Sequence, residues 1–107
     1  MKPVYADMED DALFEAYHRR GEEGAFAEMM SRHAQPLMRY IRGLLGADSP
    51  HADDAFQETW IRVIDNGDKW HGGSLRAWLA RIAHNVIVDH FRRTKPTTSL
   101  DAEPESG

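Results

Sequence analysis

Cysteine is absent from the 107-residue sequence, which excludes disulfides, thiolate nucleophiles and thiolate metal sites together. No apolar run approaches the roughly 18 residues that a membrane span requires. The start, MKPVYADMEDD, turns acidic at once where a secretory signal would be apolar. These absences predict a cytoplasmic chain with no membrane partner. Nor does any stretch alternate apolar and polar residues as a half-buried strand does. A Gly-rich phosphate loop, a nucleophile elbow and a paired-acid motif are missing too, so neither enzymatic activity nor a cofactor is expected. The six histidines leave one route to metal chemistry. His84 and His90 would lie about 120° apart around a helix and could not converge on one ion. His51, Asp54 and Glu58 share a face at i, i+3 and i+7, but the usual zinc patterns are absent. A solvated acidic helix start accounts for that spacing, and no metal site is predicted.

What the sequence does contain is helical periodicity. Hydrophobic residues make up 41% and charged residues 29%, the balance of an ordinary globular chain with one modest core. A first helix is predicted over 7–20, with Asp7, Glu9, Asp10 and Asp11 at the positive end of its dipole. Leu13, Ala16 and Tyr17 share its inner face, and Gly21 ends it. A second begins near Glu22 and carries Phe26, Met30, His33, Leu37, Ile41 and Leu44, with a kink or break expected at Pro36. The third, over 50–65, turns Ala55, Phe56, Thr59, Trp60, Val63 and Ile64 inward, and Gly67 is expected as its left-handed cap. Ser74 is a suitable N-cap for the fourth, whose stripe is Leu75, Trp78, Leu79, Ile82, Ala83, Val86 and His90. The fold expected over 1–95 is therefore all-α, a compact bundle of about four helices. Residues 96–107 are poor in apolar groups and predict an acidic linker.

The net charge of -5 is unevenly spread. Through Glu58 there are twelve acidic and six basic residues, whereas 76–95 holds five basic residues against Asp89 alone. An acidic half and a basic helix suggest two partners of opposite preference, although helical domains without such partners also segregate charge. Two constellations stand out. Asp54, Gln57 and Glu58 project from one side of the third helix while Phe56 and Trp60 project from the other. The like charges of Asp54 and Glu58 cost a few tenths of a kcal/mol at i, i+4, which a basic partner would relieve; a docking face and a solvated face both fit. The second constellation is the loop and helix from Lys69 to Asn85. Gly72 and Gly73 beside Trp70 let backbone approach a planar ligand. Arg76, Arg81, Arg92 and Arg93 supply phosphate contacts, and the Asn85 amide suits a base edge. Stacking, positive charge and an amide are what single-stranded nucleic acid requires. Trp78 falls in the apolar stripe and is assigned to the core. Trp70 either stacks on a ligand or covers the core's edge.

In order and spacing, AFAEMMSRH, ADDAFQETW, a tryptophan-glycine loop, SLRAWLARIAHNVIVDHFRR and TSLD resemble region 2 of the extracytoplasmic-function (ECF) sigma factors of the sigma-70 family, from about Asp10 to Asp101. The resemblance implies that Asp54, Gln57 and Glu58 dock on the clamp helices of the largest subunit of core RNA polymerase. It implies that one non-template base of the promoter minus-ten element is flipped into a pocket of Trp70, His71, Gly72, Gly73, Ser74 and Leu75, with Asn85 matching the family's pocket asparagine. An anti-sigma factor is a further implied partner. Promoter opening then needs no hydrolysis and no cofactor. Two positions depart from the pattern. Ala80 stands where many relatives carry tyrosine, and His71 where arginine is frequent. The family's second DNA-binding domain, a helix-turn-helix for the minus-35 element, would follow the linker; weak promoter binding by this chain alone is expected. The rival reading is a helical interaction module that occupies the polymerase clamp without reading DNA, a role the net negative charge suits.

Overall fold

The computed structural model describes residues 4–94, and these form four α-helices joined by short turns. They are α1 (Asp10–Arg20), α2 (Glu23–Leu45), α3 (Ala52–Asp65) and α4 (Leu75–Thr94), with 3₁₀ turns at Tyr5–Asp7 and Gly67–Lys69. Among the described residues there is no strand, as the periodicity predicts, and no helix long and apolar enough to cross a membrane. The expected linker, 96–107, lies outside the described residues.

The chain enters α1 later than its run of acids predicts, because residues 5–7 form a separate turn tied to α2. Arg32 holds that turn by donating to the carbonyls of Tyr5 and Ala6, each at 3.1 Å, and it reaches Asp10 at 3.3 Å. The Tyr5 hydroxyl donates to Glu22 at 3.1 Å, and Arg20 donates to the same carboxylate at 2.8 Å. Those two bonds, Arg20's first, hold the Glu22 carboxyl below the usual carboxylate range. Gly21, at φ 68°, closes α1 as expected, with Glu22 N–H returning to the Ala16 carbonyl.

Helix α2 runs unbroken through Pro36, so the expected break does not occur. Proline deletes a single ladder bond, and the buried row His33, Leu37 and Ile41 clamps the helix on either side of it. The buried line is Ala25, Met29, His33, Leu37 and Ile41, the i+4 ridge that helices use to pack. It is one position away from the predicted Phe26–Met30 stripe, whose members flank the core half-buried. Leu44 is exposed at the helix end. From α3 the core takes Ala52, Ala55, Trp60 and Val63, and from α4 Leu79, Ile82, Ala83, Val86 and Ile87. Thr59 is fully buried, and its hydroxyl donates to the Ala55 carbonyl at 2.7 Å, so no polar atom is left without a partner there.

Gly67 is not the left-handed cap that its place in the sequence suggested. Positive φ occurs at Gly21, Gly46, Gly72 and Gly73, while Gly67 is buried and opens the second 3₁₀ turn. Lack of bulk is what matters: a Cβ there would lie 2.7 Å from His18 Nδ1 and 3.3 Å from the Phe14 ring. Gly67→Ala is expected to lower stability by about 1–2 kcal/mol through overpacking, and His18→Ala in the same chain to restore most of it. Thermal melting of both variants checks this; an unchanged single mutant would show that the ring moves aside freely.

Candidate nucleic-acid interface

The loop between α3 and α4 is shaped by two consecutive glycines, Gly72 at φ 101° and Gly73 at φ 86°, a conformation that side chains disfavour. They deliver the chain to Ser74, whose Oγ accepts the Ala77 N–H at 3.1 Å and caps α4 as predicted. Behind the loop, three rings support one another. Trp70 meets Phe14 edge-on at 4.8 Å, Phe14 meets Trp78 at 5.8 Å, and the two tryptophans lie 6.3 Å apart. Trp78, assigned to the core from sequence, is only half-buried. Its other side, with Trp70, bounds an open cavity of about 290 Å³ whose remaining lining is Lys69, His71, Gly72, Ser74, Ala77 and Arg81. An apolar cavity of about 150 Å³ suffices for benzene, so a nucleobase has room. The Trp70 Nε1 is buried without a hydrogen-bond partner.

The structure brings together Trp70, His71, Gly72, Ser74 and Arg81 of the expected set. Leu75, at 3% exposure, packs into the core and lines an adjoining groove, not the Trp70 cavity. Gly73 and Arg76 line that groove with Glu9, Asp10, Asp11 and His33. Asn85 is exposed on α4, outside the cavity's lining but on the side of Trp78 and Arg81, at i+7 and i+4. Arg92 and Arg93 are exposed near the opposite end of α4, and Arg93 lines a separate cavity with Asp54 and Glu58.

That second region is the acidic side of α3. Asp54 and Gln57 are exposed. Glu58 is half-buried and within 3.4 Å of Arg62, which also reaches Asp89 at 2.9 Å. The like-charge cost of Asp54 beside Glu58 is thus answered partly inside the chain, by Arg62 and by Arg93 across a cavity of about 180 Å³. His51 and His90 stack there with centroids 4.5 Å apart. Among the described residues no three histidines or carboxylates are placed to hold a metal ion.

The family model for sigma-70 region 2 matches residues 29–97. The chain belongs to the sigma-70 region 2 family. It is 33% identical over 86 residues to the ECF RNA polymerase sigma factor SigW of Bacillus subtilis, covering 79% of this chain and 46% of that one. With ECF RNA polymerase sigma factor SigC of Mycobacterium tuberculosis the identity is 34% over 89 residues, covering 80% and 47%. With ECF RNA polymerase sigma factor BldN of Streptomyces coelicolor it is 29% over 94 residues, covering 84% and 35%. The chain therefore spans less than half the length of these relatives. No solved structure matches it.

Within this region 2 domain, two features escaped the sequence reading. Phe14, the support behind Trp70, comes from α1, outside the matched residues and 56 positions from its partner; no local spacing could announce it. Ile61 is 51% exposed, and Ile64, expected on the inner face of the third helix, is instead 44% exposed; both continue the row of Asp54 and Gln57 at i+7 and i+10. Their signal was available, since Val63 already fills the inward position next to Ile64.

Proposed function

We propose that this domain binds core RNA polymerase through the exposed row on α3 and captures one unstacked base of the minus-ten non-template strand between Trp70 and Trp78. The observation that carries this reading is the ring-sized cavity at the α4 N-terminus, walled by two tryptophans and flanked by Lys69 and Arg81. Removing a base from the stack costs a few kcal/mol. Stacking on an aromatic side chain is worth roughly 1–3 kcal/mol per base, and the cations contribute phosphate contacts. Trapping the opened base therefore biases the duplex towards melting without any bond being made or broken, and no cofactor is called for. Arg76 and Arg92 offer phosphate contacts outside the cavity. On α3, Asp54 and Gln57 present a carboxylate and an amide to the clamp helices, and Ile61 and Ile64 extend that row with apolar surface. An anti-sigma factor would act by covering one of these two surfaces. In this reading the domain works in the cytoplasm, and residues 96–107 lead towards a second DNA-binding domain.

Asn85 stands one turn beyond Arg81, placed for a base or sugar next to the captured one. Asn85→Ala is expected to reduce discrimination at one minus-ten position by about tenfold, the upper part of the range for a lost hydrogen bond. The measurement is binding of a fluorescent single strand to the domain, with and without core polymerase, for each base at each position. Binding that is sequence-dependent, strengthened by polymerase and weakened steeply by salt supports the reading. Capture of polymerase with no preference among strands would leave the clamp-occupying module as the better account.

A further inference from the structure

We propose that α1 is part of the base-reading device. Phe14, with His18 beside it, is a positioning residue that seats the loop carrying Trp70; this rests on the base capture proposed above. Phe14 does not line the cavity beside Trp70, so it can act on a captured base only through the rings that do. It is buried. Its ring neighbours are the two tryptophan walls, at 4.8 and 5.8 Å, and His18 of its own helix, at 5.9 Å.

The loop needs such a seat because polar contacts do not supply one. Among the described residues no hydrogen bond or ion pair ties 67–73 to any of the four helices. The bonds the loop makes are local: Lys69 N–H donates to the Asn66 carbonyl at 2.9 Å, and Trp70 N–H to the Gly67 carbonyl at 3.3 Å. The Trp70 Nε1 has no partner either. What holds the loop is edge-on ring packing and close van der Waals contact, and α1 provides the nearest ring.

Contact is most direct at Gly67. The His18 and Phe14 rings close over it so nearly that an added Cβ would lie 2.7 Å from His18 Nδ1 and 3.3 Å from the Phe14 ring. Gly67 opens the second 3₁₀ turn and accepts the Trp70 N–H, so where it sits decides where Trp70 begins. Trp78 needs no such help, because its N–H bonds the Ser74 carbonyl at 3.1 Å within the regular start of α4. One wall of the cavity is therefore built into α4, and the other is positioned from α1. Without the seat the helices remain, but the loop divides among conformations and the apparent affinity falls with the fraction still seated. The reading device thus extends beyond residues 29–97, the part that the family model matches.

The test is a double-mutant cycle between Phe14→Leu and Trp70→Ala, read on strand affinity. The probe is a fluorescent single strand of on the order of ten nucleotides, selected from a randomised pool with the full chain on core polymerase. Phe14→Leu keeps apolar bulk and removes the ring. It is expected to weaken strand binding by about fivefold or more, as for a loop seated in about a fifth of the molecules. In the Trp70→Ala chain the same change should cost less than about twofold, since the ring to be positioned is gone. Capture of core polymerase should stay within about twofold throughout, the docking row being on a separate element. If Phe14→Leu does not fold by melting analysis, Gly67→Ala replaces it: the added methyl lifts the loop off the two rings, strand affinity falls, and His18→Ala restores it. Unchanged strand affinity in the folded variant would overturn the inference and leave base capture intact. So would an equal loss in both backgrounds, which assigns the seat to the fold alone. Trp70→Ala with no effect of its own on strand affinity would overturn base capture, and the inference with it.

Discussion

Trp70→Ala is expected to weaken binding of the unpaired minus-ten strand by roughly tenfold to hundredfold, the equivalent of one lost stacking platform. Capture of core polymerase should change by less than about twofold, because the acidic row on α3 lies on a different element. The expectation follows from how the ring is held. Trp70 leans on Phe14 at 4.8 Å with Trp78 nearby at 6.3 Å, so it is preorganised and gives up little freedom when a base arrives. Because it is half-buried, its removal should also lower stability, by about 1–2 kcal/mol. Affinity must therefore be measured well below the variant's melting temperature. Trp70→Phe separates two contributions: it keeps a stacking face and deletes the Nε1 donor, which has no partner within the chain. An intermediate loss for phenylalanine would assign that donor to the base. Unchanged strand affinity in a folded Trp70→Ala variant would remove the cavity from the recognition site.

What the sequence could and could not disclose divides along physical lines. The four helices were legible because apolar spacing is a local property, and so were Gly21 and Ser74, whose capping roles depend only on neighbouring backbone. Gly67 was misjudged, and of the kink or break expected at Pro36 the break does not occur, for the same reason. Each carries a strong local signal that tertiary packing overrides, through the buried row of α2 in one case and the His18 and Phe14 rings in the other. The cavity beside Trp70 was half legible. Trp70, His71, Gly72 and Ser74 are contiguous enough to be recognised together, while Leu75 is turned inward by the helix it begins. Arg93 shows the converse. It reads as a phosphate contact because it belongs to a basic helix, and it lies 17 residues beyond Arg76, roughly 25 Å along α4, lining a cavity with Asp54 and Glu58.

Asp54→Ala is expected to weaken core polymerase binding by about thirtyfold or more, the lower end of what truncating one partner of a buried, hydrogen-bonded interfacial charge costs. Glu58→Ala should do markedly less. The two carboxylates are one turn apart, but Glu58 is already engaged by Arg62 at 3.4 Å while Asp54 is exposed, so only Asp54 can be committed fully to a partner. Because Asp54 sits in the first turn of α3, its loss also removes a favourable dipole interaction of about 0.3–1 kcal/mol; a small drop in melting temperature is part of the expected result. Asp54→Asn removes charge while keeping shape and shows how much of the effect is electrostatic. Polymerase capture at rising salt, with single-strand affinity measured in parallel, checks all three variants. Equal capture by wild type and Asp54→Ala would make the acidic row a solvated helix face and move the docking surface elsewhere. The reverse ranking, with Glu58→Ala the weaker binder, would mean that the Glu58–Arg62 pair opens on binding and that Arg62 turns to Asp89 alone as the carboxylate is handed to the polymerase.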